Sequence, residues 1–250
     1  MFLQVGVRIE AMFRHQYRLR ESFWLARRHP QALFDFRVRF IGRDTMTKVI
    51  AITGCMGSGK TTLAEHLHRL IPGTRVLFED DFQTMTQMNL LELEQWRNRG
   101  SSIGELNLNG FDEAIRQALK VSDQRTSKGA RLLIIESQFG RAHPSLADLI
   151  DFQIWIEAPL DICLARKILQ LSCIPPGNSL GTLSPGEIIE LCKVYLTSTA
   201  GLLREQILRV RSVSDAVLVN EKTTAGMVDA ALEIILNRAS ATLGFENDSL

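Results

Sequence analysis

A chain of 250 residues, 45% of them hydrophobic, can bury one large α/β core with room for an appendage. A net charge of +1 gives no whole-chain nucleic-acid signature, and Cys55, Cys163, Cys173 and Cys192 are widely spaced and never form C-x-x-C, which argues against a zinc site or a disulfide framework. No apolar run reaches the ~18 residues of a membrane span, and "MFLQVGV" is too short for a secretory leader, so a reduced cytoplasmic setting is expected.

The charge is unevenly spread. Residues 1 to 47 hold nine arginines against four acids, Glu10, Glu21, Asp35 and Asp44. Here "AMFRHQYRLRESFWLARR" can form a basic helix with aromatic residues, ending at His29-Pro30. Three readings stay open for residues 1 to 45: a helical appendage, an upstream extension with Met46 as the true start, or a basic targeting or binding arm. Glu10 and Glu21 argue against a transit peptide. The remaining residues, 46 to 250, read as one domain.

From Lys48 onward strands alternate with helices. Strand signals are "KVIAIT" (48 to 53), "RVLFED" (75 to 80), "RLLIIE" (131 to 136), "FQIWIE" (152 to 157) and "AVLVN" (216 to 220). Helices are expected at Lys60 to Leu70, about Leu90 to Arg99, Phe111 to Ser122, Leu160 to Leu171, Pro185 to Arg211 and Ala225 to Arg238. Five apolar strands separated by helices imply a parallel sheet covered on both faces, with right-handed crossovers. Two connections are long, residues 82 to 110 and 172 to 186. Substrate recognition is expected in the first and a lid in the second.

Between the first strand and first helix runs "GCMGSGKTT", in which Gly54, Gly59, Lys60 and Thr61 satisfy G-x-x-x-x-G-K-[ST]. A chain of this length would match by luck in roughly one case in a hundred. The glycines let backbone N–H groups of Gly54, Cys55, Met56, Gly57, Ser58, Gly59, Lys60, Thr61 and Thr62 turn inward, and the helix N-terminus adds partial positive charge. Such a loop cradles phosphate. Lys60 would reach its outer oxygens and the Thr61 hydroxyl would sit on Mg2+.

The other candidates cluster at strand ends. Asp80 and Asp81 close the second strand, where a carboxylate accepts a hydroxyl proton or holds Mg2+; a solvated pair is the bland alternative. Glu136 closes the third strand, the place of a metal-supporting acid, with a helix cap as alternative. Arg166 and Lys167 precede the glycine- and proline-rich connection, where a cation could stabilise a transferring phosphoryl group, although adjacent basic residues are commonly just solvated. Arg141 and His143 could meet substrate or phosphate, or simply build a turn; Trp96 could stack on a ring or anchor packing. His66 and His68, two apart on a helix, are read as surface residues.

Taken in order, "GCMGSGKTTLA", "FEDDF", "LLIIES" and "PLDICLARK" resemble the P-loop kinases of the uridine kinase, ribosylnicotinamide kinase and phosphoribulokinase group over Lys48 to about Arg238. The resemblance implies a P-loop NTPase three-layer sandwich with a parallel sheet of order 2-3-1-4-5, use of ATP and Mg2+, and phosphorylation of a small metabolite's hydroxyl. By that likeness Asp80 matches the general base, Glu136 the acid of the group's "IIEG" segment, and Arg166 a lid arginine. Lys167 stands in place of a second arginine, Gln170-Leu171 in place of Arg-Asp, and Ser137 in place of the "IIEG" glycine, so lid charge is reduced. An ATP-dependent kinase of a nucleoside-like metabolite is the leading expectation. Its rivals are a nucleotide-binding regulatory module and a kinase of nucleic-acid ends recruiting the basic arm. No membrane partner is expected, nucleic acid is disfavoured, and a homo-oligomer stays open.

Overall fold

The expected strands form one sheet because each is apolar on both sides. A computed structural model of the chain describes residues 47–71, 73–82, 90–124, 132–172, 184–220 and 224–242. The basic arm, the start of the first long connection (83–89) and the centre of the expected lid (173–183, with Cys173) lie outside the described residues. The strands are β1 (Lys48–Gly54), β2 (Thr74–Phe78), β3 (Leu132–Glu136), β4 (Phe152–Glu157) and β5 (Ala216–Val219). All pair in parallel, in the order β2-β3-β1-β4-β5. Their C-terminal ends therefore share one edge, as the motif positions require.

The helices are α1 (Lys60–Leu70), α2 (Leu90–Asn98), α3 (Phe111–Gln124), α4 (Pro144–Ala147), α5 (Leu160–Ser172), α6 (Pro185–Val194), α7 (Ala200–Arg211) and α8 (Thr224–Thr242). Leu63, Ala64 and Leu67 of α1 and Val228, Ala231 and Leu232 of α8 pack on Ile50, Ile52, Ile134 and Ile154. On the opposite face Phe111 and Ile115 of α3 cover Val49, Ala51, Leu133 and Ile135. A third cluster joins Trp155 of β4 to Leu203 and Val210 of α7, Cys163 of α5 and Trp96 of α2. Both faces of the central strands β1, β3 and β4 are thus buried, which is why these strands read as nearly unbroken apolar runs, while Val217 and Val219 of the edge strand β5 stay exposed.

Two differences from the expected elements bear on the site. The second strand was expected to run to Asp80 but ends at Phe78, and Glu79–Phe82 forms a 3₁₀ turn. Phe78 faces Glu136, the last residue of β3, so the ladder stops there. Glu79 then leaves the sheet and its carboxylate accepts hydrogen bonds from Ser137 and the Gln138 N–H.

The single helix expected over Pro185 to Arg211 is interrupted by a π turn at Tyr195–Thr199. Thr197 Oγ1 donates to the carbonyl of Lys193 (2.9 Å), with Val194 O at 3.4 Å, and so competes with the backbone for helix acceptors. The start is well specified. Ser184 and Glu187 form a capping box with Pro185 in the first turn, and those hydrogen bonds hold the Glu187 carboxyl below its usual range.

Candidate functional site

β1 delivers Gly54 to the C-terminal edge of the sheet, and the chain turns through residues 55 to 59 into α1. Gly57 has φ +76°, and an added Cβ would run into the Cys163 carbonyl of α5, so only glycine fits. No side chain caps α1, and its first turn holds no acid. Its N-terminus keeps the partial positive charge and unsatisfied N–H groups that attract an anion.

Side chains around this turn have fixed places. Lys60 is buried; its Nζ donates to the Cys55 carbonyl (3.3 Å) and lies 3.7 Å from Glu136 Oε1. Thr61 Oγ1 donates to Glu136 Oε2 at 3.0 Å. Glu136 is also buried, so both charges of this pair sit in a poorly solvated setting where electrostatic interactions are strong. The Thr61 hydroxyl and the Glu136 carboxylate form a hard oxygen donor pair beside a phosphate-shaped loop, which suits Mg2+, an ion held by one or two protein oxygens together with phosphate and water. Among the described residues no group of three His, Cys, Asp or Glu gathers to form a complete protein cage for a metal.

Asp80 and Asp81 ride on the 3₁₀ turn after β2, at this same edge. Asp80 is half-buried and Asp81 exposed. β2 neighbours β3, so the turn stands next to the strand end that carries Glu136. Arg166 projects from α5. Its Nη2 donates to the Asn220 carbonyl at 3.4 Å, and its Nη1 is buried with no hydrogen-bond partner among the described residues. Lys167 is half-buried on the same helix.

Three expected substrate contacts are used by the fold instead. Arg141 donates to the carbonyls of Ile150 (3.2 Å) and Asp151 (2.7 Å) and pairs with Asp215 at 2.7 Å, all at the opposite, N-terminal edge of the sheet. His143 is buried; Nε2 donates to the Leu106 carbonyl (3.0 Å), and Nδ1 accepts from the Ser145 N–H, capping α4. Trp96 is buried, with its Nε1 donating to the Ser102 carbonyl at 2.9 Å, so it packs rather than stacks on a ligand. His66 is likewise not a surface residue: it is buried and Nδ1 donates to the Thr62 carbonyl, while His68 is exposed.

Residues the sequence reading missed complete the site. Asn220 follows β5 and donates from Nδ2 to the Ser58 carbonyl at 2.6 Å, so the far side of the sheet holds the P-loop. Gln206 of α7 donates to the Gln138 carbonyl (2.7 Å) and reaches the Gly54 carbonyl (3.4 Å). Neither belongs to a contiguous motif, and no local pattern would have found them. Glu79, buried beside Asp80, lies just past the end of β2, and its partners Ser137 and Gln138 are 58 and 59 residues away.

Cys55 and Cys163 are quiet thiols. Burial pushes the Cys55 thiol up to about 12 despite the Lys60 charge, and burial also raises Cys163, against the opposing pull of Arg166. Among the described residues no helix is long and apolar enough to cross a membrane.

Comparison with known proteins gives a match of residues 50–168, just under half the chain, to a family model described as an AAA domain. Human nicotinamide riboside kinase 1 is 26% identical over 132 residues, which cover 48% of this chain and 64% of that relative. The match thus spans less than two thirds of the relative's length. Among solved structures, shikimate kinase from Acinetobacter baumannii is 18% identical with TM-score 0.38, covering 79% of this chain and 96% of that one. TT1252 from Thermus thermophilus is 19% identical with TM-score 0.40, covering 77% and 98%.

Proposed function

We propose that this protein is an ATP-dependent kinase of a small hydroxylated metabolite, with residues 46 to 250 as its kinase domain. The observation that carries the reading is the buried cluster in which Lys60 and Thr61, opening α1, face Glu136 at the end of β3. A lysine, a hydroxyl and an acid converging beneath an uncapped helix N-terminus suit a triphosphate with its cation. The similarity to nicotinamide riboside kinase 1 supports a nucleoside-like acceptor.

In this reading residues 54 to 62 hold the phosphates through N–H groups and Lys60. Mg2+, held by Thr61 and supported by Glu136, would neutralise charge on the transferring group. Asp80 takes the acceptor's hydroxyl proton, and Asp81 helps hold the acceptor. Arg166 has a buried N–H without an acceptor among the described residues, a donor suited to phosphate oxygens, and Lys167 adds charge beside it.

A second reading, a nucleotide-binding regulatory module, is favoured by one observation. Gln170 stands where the resembling kinases carry an arginine, so the helix Leu160–Ser172 is cationic only at Arg166 and Lys167.

The test is phosphate transfer from γ-labelled ATP and Mg2+ to pools of nucleosides, vitamins and sugar phosphates, run beside Lys60→Ala. Label in one pool, lost in the variant, is the expected outcome. Tight ATP binding with no labelled product in any pool would overturn the kinase reading and favour the module.

A further inference from the structure

The loop after β3 is organised around one acid that the phosphate chemistry does not use. Glu79 is 3% exposed. Its Oε2 accepts from the Ser137 hydroxyl at 2.6 Å and from the Gln138 N–H at 2.7 Å. A hydroxyl has a single hydrogen, so that of Ser137 is committed to Glu79. Its lone pairs in turn accept from the N–H groups of Gly140 (2.9 Å) and Phe139 (3.2 Å). The Ser137 N–H continues to the Ile52 carbonyl of β1 (3.1 Å), and the Gln138 carbonyl accepts from Gln206, which also reaches Gly54.

One buried hub therefore links the ends of β1, β2 and β3. Those three ends carry the P-loop, Asp80 and Glu136. Ser137 occupies the place where the resembling kinases have glycine, a residue that could not supply the hydroxyl. The acid and the serine thus act as a pair: without Ser137, Glu79 would lose its 2.6 Å hydrogen bond, and without Glu79 the buried Ser137 hydroxyl would lose its acceptor.

We propose that Glu79, through Ser137, is a positioning residue that sets the Asp80-bearing turn against the Glu136 strand end. This rests on the kinase reading. Misplacing a catalytic group by about 1 Å costs on the order of 100-fold in rate. In the kinase reading ATP is held by residues 54 to 62, so displacing the Asp80-bearing turn should spare its affinity.

The experiment combines transfer kinetics with amide exchange on the full chain. Glu79→Ala is expected to lower kcat by roughly 30- to 100-fold, with the ATP Kd within about two-fold. Glu79→Gln keeps an acceptor oxygen of the same reach and should recover most of the rate, to within about five-fold of the native enzyme. Ser137→Ala should fall between, and the double variant Glu79→Ala/Ser137→Ala should be no slower than the worse single, because both break one hub. Equal losses in kcat and ATP affinity, or independent effects in the double variant, would overturn the proposal.

Hydrogen exchange of the amides of Asp80 to Phe82 and of Gln138 to Gly140 reads the link without any turnover. Both segments should exchange faster in Glu79→Ala, and unchanged exchange would overturn the proposal by itself. A native enzyme that transfers no phosphate to any acceptor would sink the kinase reading alone, leaving the exchange measurement to decide the link.

Discussion

The P-loop and the stretch from Arg99 to Gly110, the last part of the 82–110 connection in which substrate recognition is expected, use their polar groups in opposite ways. At the P-loop the helix N-terminus is left open and Lys60, Thr61 and Glu136 converge under it. In the second stretch the groups are consumed by the protein. Arg209 holds the carbonyls of Gly100 and Ser101, Trp96 holds Ser102, His143 holds Leu106, and Asn109 reaches back to Phe82. Ile103, Leu106 and Leu108 are buried there as well. What separates the two stretches is whether donors and acceptors are left over.

The largest expected effect concerns the acid beside the P-loop. Asp80→Asn should lower phosphoryl transfer by about 10²- to 10⁴-fold while ATP still binds, as measured by steady-state kinetics and calorimetry. Full activity in a folded variant would remove Asp80 from the active side of the comparison.

On the other side, Trp96→Ala should cost about 3–5 kcal/mol of stability through the cavity it leaves, read from urea unfolding. A near-neutral result would mean that the stretch is not packed as described. Arg141→Ala is expected to cost about 1–3 kcal/mol, from the lost Asp215 pair and two unpaired carbonyls, with the acceptor KM unchanged. A raised KM at native stability would return Arg141 to the substrate.

The smallest effect sharpens the P-loop side. With its pKa pushed up to about 12, Cys55 is almost wholly a neutral thiol at pH 8. Iodoacetamide should label it at least about tenfold more slowly than half-buried Cys192, as followed by peptide mass spectrometry. Rapid labelling of Cys55 would show that the loop opens in solution.

Legibility follows the same division. The strands and the P-loop could be read because their information is local: an apolar run, then glycines, then Lys60 and Thr61 within one turn of helix. The tethering of residues 99 to 110 could not, since Leu106 meets a partner 37 residues away and Ser101 one 108 residues away. Trp96, Arg141 and His143 can be read in isolation as ligand or as structural residues, and their partners Ser102, Asp215 and Leu106 are not legible in the local sequence. The end of β2 was misread for a related reason. Glu79 leaves the sheet because an acceptor is needed by Ser137, on another strand.

The π turn at Tyr195–Thr199 marks where two halves of one long helix stop sharing a task. Before it, α6 buries none of its residues; after it, α7 buries Ala200, Leu203, Gln206 and Val210 against the sheet. Deleting one residue from that turn would rotate the two halves by about 100° about their common axis. If α7 kept its phase, α6 would swing to a new side of the molecule; if α6 kept its phase, Gln206 would leave Gly54. The spacing between Val194 and Ala200 therefore acts as a phase setting between the segment that follows residues 173–183 and the segment that grips the P-loop.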